Sequence, residues 1–192
     1  MLKNLNGKRI ILASGSPRRK ELLRAMGLSF EVVSTDVDES FDPKLRGSEI
    51  PVYLSEKKAL SLRSTLHAED IAIAADTIVW TDHGVLNKPA DARDAERMLQ
   101  ALSGKSHIVY TAVTLMTSSW HKTFFDATEV TFALLSSEEI DYYIETCKPF
   151  DKAGAYGAQD WIGVAKIDGL RGSYFNVMGL PTHKLYAELQ RI

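Results

Sequence analysis

The segment Ser14-Gly15-Ser16-Pro17-Arg18-Arg19 directly follows the apolar run Arg9 to Ala13 and reads as a phosphate-binding corner. Gly15 permits a tight turn, Ser16 suits a helix N-cap and Pro17 suits the first helical position. The start of a helix carries unpaired N–H groups and partial positive charge, so Asp or Glu would be the stabilising choice in its first turn. This chain places Arg18 and Arg19 there instead. Two guanidiniums beside free N–H groups suit phosphate oxygens. The competing reading is a surface helix start with solvated arginines.

A second signal is a carboxylate inside an apolar run. Ile71 to Trp80 has the composition of a buried strand, yet Asp76 interrupts it near its middle. An ionised group in such a run needs a cation, a metal or several donors, and such groups are often functional. Alternatively, Asp76 lies at a bulge or strand end and caps neighbouring N–H groups. Lys58 falls on the apolar stripe of a helix expected from about Glu49 to Thr65, with Ile50, Leu54 and Leu62 at four-residue spacing. Two readings of Lys58 stand level: a stem that covers core while the ammonium reaches water, or an ammonium that meets an anion. Asp82-His83-Gly84 reads as a hairpin turn, and its return strand brings Lys88 toward the strand of Asp76.

These groups require a scaffold of alternating strands and helices. Apolar runs predict strands at Ile10–Leu12, Phe30–Val33, Ile71–Trp80, His107–Met116, Phe124–Leu135 and Trp161–Ile167, with a short extended stretch at Asn176–Gly179. Helices are expected from Pro17 to a stop at Gly27, and from a cap at Asp91 with Ala95, Met98, Leu99 and Leu102 on one face, closed by Gly104. Ser136 and Glu139 predict a capping box for a helix reaching Thr146. Pro181 opens a final helix docked by Tyr186, Leu189 and Leu185. His107 has no His or Cys at ligand spacing and is expected to be structural. The loop Asp151 to Gln159 is rich in small residues, which let backbone approach a ligand.

With 192 residues, the chain is expected to form a single α/β domain over 1–192. A formal charge of −2 gives no footprint for sequence-independent nucleic-acid binding. The single cysteine, Cys147, excludes an internal disulfide, and Met1 to Lys8 lack the apolar core of a signal peptide, so a cytoplasmic setting is expected. No apolar stretch is long enough to span a bilayer.

Taken together, the strings ASGSPRRKELL, AADTIVW, GVLNKP, LSGKSHIVYTAV, DKAGAYGAQ and NVMGLP closely resemble the Maf, or septum-formation-inhibitor-like, family of nucleoside triphosphate pyrophosphatases, over nearly the whole chain. The resemblance implies an α/β fold with a mixed, strongly bent sheet flanked by helices, and two lobes around a cleft, as in the inosine triphosphatase-like architecture. It implies cleavage of the α–β phosphoanhydride to a nucleoside monophosphate and pyrophosphate, which would remove unwanted or modified nucleotides. A divalent cation, Mg²⁺ or Mn²⁺, a cytoplasmic location and a homodimer are further family-level expectations.

By the same resemblance the catalytic aspartate falls on Asp76, the helix lysine on Lys58 and the hairpin lysine on Lys88. Ser14, Arg18 and Arg19 match the phosphate corner. Glu39 matches an acidic position suited to metal binding or water orientation, so Glu39 and Asp76 form the metal set. The positions that distinguish base preference are Arg18, Thr77 and Gln159, which resemble the dTTP/UTP branch. The branch acting on 7-methyl-GTP instead resembles a pattern with tryptophan before the final arginine of the corner, glutamine after the catalytic aspartate and glutamate in the late loop. Hydrolysis is then expected to rest on cationic stabilisation of the phosphates, with Asp76 orienting or deprotonating water and its pKa held low by the cations. The alternative is a nucleotide-binding regulator of cell division without significant turnover.

Overall fold

A computed structural model describes residues 2–192; Met1, the first residue of the N-terminal reading above, lies outside the described residues. The chain divides into two compact units. Unit 1 comprises Met1–Asp76, Thr111–Asp126 and Gly179–Ile192, and unit 2 comprises Thr77–Tyr110 and Ala127–Met178. Among the described residues the strands belong to one mixed, seven-stranded sheet in the order β2 (Glu31–Val32), β1 (Arg9–Leu12), β3 (Asp70–Thr81), β5 (Ser106–Met116), β6 (His121–Phe132) and β7 (Ile167–Arg171), with β4 (Gly84–Leu86) pairing on β3. The expected mixed α/β class is therefore present.

In unit 1, β1 (Arg9–Leu12) pairs in parallel with both β2 (Glu31–Val32) and the start of β3 (Asp70–Thr81). Ile10, Ile11 and Leu12 are all buried, as a strand packed on both faces requires. The helix α1 (Pro17–Ala25) begins with Pro17 at its first turn and ends ahead of Gly27, whose φ of +75° is open to glycine. Ser16 holds the N-cap position without a capping side-chain bond among the described residues. The helix α2 (Glu49–Leu60) stops short of the expected end, and Arg63–Thr65 forms a separate 3₁₀ turn. Ile11, Ala13, Ala59, Leu62, Ala72, Ala74 and Met116 form a core cluster of this unit. The last helix, α7 (Thr182–Leu189), buries Leu185 and Leu189, while Tyr186 is only half-buried.

In unit 2, β3 turns at Asp82-His83 into β4 (Gly84–Leu86), with Val79 opposite Leu86. The helix α3 (Ala92–Leu102) is capped by the Asp91 side chain, which accepts from the Asp94 N–H. Ala95, Met98, Leu99 and Leu102 are buried, as their spacing predicts. The strands β5 (Ser106–Met116) and β6 (His121–Phe132) follow, β6 starting and ending three residues earlier than expected. Both connect the two units through the chain. The helix α4 (Ser137–Cys147) opens with the predicted capping box of Ser136 and Glu139.

Two expectations fail here. Trp161–Ile167 forms not a strand but the helix α5 (Trp161–Lys166), and β7 (Ile167–Arg171) starts only at its end. The apolar composition of that stretch mimicked a strand, yet Ile162 is buried while Val164 is exposed. Gly163 is what lets the helix close on the preceding loop, since a Cβ there would stand 2.1 Å from the Ala158 carbonyl oxygen. Likewise, the extended stretch expected at Asn176–Gly179 is replaced by the short helix α6 (Tyr174–Val177), whose N-cap Ser173 accepts from the Asn176 N–H. That cap lies just upstream of the stretch read as extended.

His107 has the structural role expected. It is buried against Phe132 and Tyr156, with Nε2 2.7 Å from the Tyr156 hydroxyl. Burial pushes the imidazole down to about 4, so the folded state holds it neutral near pH 7. A depressed histidine pKa contributes stability that is fully present above the unfolded value and is lost as pH falls toward the folded value. Between pH 7 and 5 this group is expected to withdraw about 1–2 kcal/mol of stability. Urea unfolding of wild type and His107→Gln at both pH values checks this, because only the wild type should carry that loss. An identical pH dependence in the two proteins would refute a buried neutral imidazole.

Candidate active site

Asp76 is the last residue of unit 1 on β3, and it sits within the strand rather than at its end. The strand's six preceding residues are all buried, so its side chain enters a nearly water-free setting, with 11% of the side chain exposed. Lys58, on α2, answers it: Nζ lies 2.6 Å from Asp76 Oδ1, and the lysine side chain is 10% exposed. The second reading of Lys58 therefore holds, and its stem does not lead to open water. Glu39, from the acidic stretch before α2, brings Oε1 to 2.8 Å from the same Nζ. Two carboxylates thus converge on one ammonium. Lys57 instead points toward Asp38 at 3.8 Å.

Burial pushes the Asp76 carboxyl above the ordinary carboxylate range, while Lys58 and then Arg19 pull it back. This corrects the expectation that neighbouring cations hold it low. Removal from water outweighs them, because a low-dielectric setting penalises the charged form before any partner is counted. A carboxylate with a raised pKa is a better proton acceptor than an ordinary one.

Lys58 is held in place from below. One turn earlier on α2, the buried Ser55 hydroxyl lies 3.0 Å from Thr114 Oγ1 on β5, which lies 3.0 Å from Thr123 Oγ1 on β6. This hydroxyl chain fixes the face of α2 that carries Lys58. The Ser14–Arg19 segment is built equally tightly. Ser14 Oγ accepts from Arg19 Nη1 at 3.1 Å and from the Ser16 N–H at 3.3 Å. Arg19 Nε donates to the Gly179 carbonyl at 2.9 Å, so the guanidinium is anchored on two sides. Burial lowers its pKa and Asp76 raises it, but a guanidinium remains charged throughout. Arg18 is half-buried in the first turn of α1.

Unit 1 thus brings together Ser14, Arg19, Glu39, Lys58 and Asp76. Arg18 belongs to the same unit, whereas Thr77, Lys88 and Gln159 belong to unit 2. Thr77 follows Asp76 on β3 and is half-buried. Lys88 is exposed two residues beyond the end of β4. Gln159 is half-buried in the loop before α5. In that loop Gly154 adopts φ +69°, and a Cβ there would stand 2.8 Å from Val79 Cγ2. Its glycine thus serves packing against β3 as well as the turn.

Sequence reasoning missed several participants. The Gly179 carbonyl reaches Arg19 across 160 positions, and a backbone oxygen leaves no signature in residue type. Tyr143 on α4 donates its hydroxyl to Asp160 Oδ2 at 2.8 Å, a role that nothing in the local sequence marks. Lys152 Nζ lies 3.5 Å from the same oxygen.

Residues 9–192 match the family described as Maf-like protein. The chain belongs to that family. A relative from Phocaeicola vulgatus, named dTTP/UTP pyrophosphatase, is 51% identical over 100% of both chains. A relative of the same name from Bacteroides thetaiotaomicron is 50% identical over 100% of both chains. Another, from Flavobacterium johnsoniae, is 45% identical over 98% of each. Among solved structures, a nucleoside-triphosphatase / dITP/XTP pyrophosphatase from Mycobacterium abscessus aligns with a TM-score of 0.46 at 19% identity, over 94% of this chain and 92% of that one.

Proposed function

We propose that this Maf-like chain hydrolyses nucleoside triphosphates, dTTP and UTP foremost, to the nucleoside monophosphate and pyrophosphate. The observation that carries this reading is the buried Asp76, raised in pKa and ion-paired to Lys58, in the unit that also anchors Arg19 through Ser14 and Gly179. The relatives named dTTP/UTP pyrophosphatase, aligned along their full lengths, support the same substrate class. In this reading Asp76 accepts a proton from the attacking water as its oxygen bonds to the α-phosphorus. The α–β P–O bond then breaks and pyrophosphate departs. Arg18, Arg19, Lys58 and Lys88 offset the charge on the phosphoryl oxygens, and most of the rate enhancement comes from that positioning and electrostatic stabilisation. Ser14 acts through Arg19, whose guanidinium it orients.

The donor chemistry fits a divalent cation. Among the described residues no group of three or more His, Cys, Asp or Glu could hold a metal. Asp76 and Glu39 are two hard oxygen donors that already converge on one cation, Lys58 Nζ. Mg²⁺ and Mn²⁺ suit such a pair, since Mg²⁺ is commonly held by one or two carboxylates with substrate phosphates completing its shell. When bound, the cation neutralises charge on the phosphates.

Arg18, Thr77 and Gln159 are the base-selecting set in this proposal. No helix among the described residues is long and apolar enough to cross a membrane. A single cysteine supports work in a reducing cytoplasm, and the net charge of −2 favours free nucleotides over nucleic acid as partners. A homodimer is the proposed assembly. Incubation of the purified chain with each common triphosphate and 7-methyl-GTP, under Mg²⁺ or Mn²⁺, with product identification, tests the reading. The expected result is pyrophosphate release with kcat/KM highest for dTTP and UTP. Leadership by GTP or 7-methyl-GTP would overturn the base assignment. No turnover with either metal would favour a nucleotide-binding regulator.

A further inference from the structure

The loop of unit 2 fixes which end of the Gln159 amide is on offer. Gln159 Nε2 donates to Asp160 Oδ1 at 3.1 Å, while Gln159 Oε1 is buried with no hydrogen-bond partner among the described residues. A carboxylate only accepts hydrogen bonds, so Asp160 must face the NH₂ end of the amide. Asp160 is itself held from two sides. The Tyr143 hydroxyl donates to its Oδ2 at 2.8 Å, and Lys152 Nζ lies 3.5 Å from that oxygen. The Gly157 N–H donates to the Tyr143 oxygen at 3.1 Å, which leaves the phenolic proton to point at Asp160. Burial and Asp160 both push the Tyr143 phenol up, keeping it a donor. Gly157 makes room for the pair, because a Cβ there would stand 2.6 Å from Asp160 Oδ2 and 2.7 Å from Gln159 Nε2.

A buried carbonyl oxygen without a donor is costly, and such groups in native structures call for an explanation. We propose that Asp160 is a positioning residue for base selection: it locks the Gln159 amide so that Oε1 is presented as an acceptor for a ring N–H of the substrate. The proposal rests on the triphosphate pyrophosphatase reading above and deepens it. Uracil and thymine carry a hydrogen on N3 and would satisfy that oxygen. Cytosine presents a lone pair at N3 and would face it oxygen to nitrogen, with no hydrogen between them. A free glutamine amide would rotate to suit either base, so the selectivity lies in Asp160 rather than in Gln159 alone.

The experiment measures kcat/KM of the full-length chain for UTP, CTP and 3-methyluridine triphosphate, which lacks the N3 hydrogen. Wild type, Asp160→Asn and Gly157→Ala are compared. Wild type is expected to prefer UTP over both other substrates by tenfold or more. Asp160→Asn offers Gln159 either a donor or an acceptor, and Gly157→Ala displaces the pair. In each, the UTP-to-CTP ratio is expected to fall at least fivefold, whereas a merely loosened site would slow both substrates alike. Equal use of UTP and 3-methyluridine triphosphate by wild type overturns the acceptor assignment without any variant. A UTP-to-CTP ratio within twofold of wild type in either folded variant overturns the role of Asp160. A wild type that cleaves neither pyrimidine triphosphate instead overturns the underlying function, a distinguishable failure.

Discussion

Asp76→Asn is expected to lower kcat about a thousandfold, within the roughly 10²–10⁴-fold range of a positioned acid–base group. Asparagine keeps the shape of the side chain but cannot take a proton from water or supply negative charge to a cation. The fold should survive. Asp76 lies in a strand whose preceding residues are buried, where a neutral side chain is cheaper than a carboxylate, and Lys58 retains Glu39 at 2.8 Å. Steady-state kinetics on a variant with wild-type circular dichroism checks the result. Turnover within tenfold of wild type would exclude Asp76 as base or essential metal ligand.

Lys58→Met carries the second large effect, this time on stability as well as rate. Methionine preserves the stem volume but leaves Asp76 buried opposite Glu39 with its ammonium gone. Removing one partner of a buried ion pair costs about 3–5 kcal/mol, much of it the penalty of the charge left behind. Introducing Asp76→Asn into Lys58→Met should therefore recover about 2–3 kcal/mol, because the uncompensated carboxylate disappears. Urea unfolding of wild type, both single variants and the double variant measures that coupling. Strict additivity would mean that the 2.6 Å contact between Lys58 and Asp76 carries no net interaction energy.

What was legible in the sequence follows from how local each signal is. Pro17 after Ser16, the Ser136–Glu139 box and the Asp91 cap each act within a few residues, and each marks a real helix start. Asp76 stood out because a charge in an apolar strand is anomalous in one dimension as well as in three. The pairing of Lys58 with Asp76 was not legible: four-residue spacing says which helix face a residue occupies, not what it faces. The direction of the Asp76 pKa is hidden from sequence for the same reason. Counting neighbouring cations is possible from sequence motifs, whereas the loss of water around them is a property of the packed core. The Trp161–Lys166 helix failed because its stabilising feature, the close approach of Gly163 to the Ala158 carbonyl, is a tertiary contact.

The backbone passes from one unit to the other after Asp76, Tyr110, Asp126 and Met178, so unit 1 is assembled from three separate stretches and unit 2 from two. Neither can be cut out as one continuous polypeptide, and no single junction would let a recombination event exchange one half for that of a relative. Exchange of a whole unit with a relative would require three separate stretches to be replaced together for unit 1 and two for unit 2.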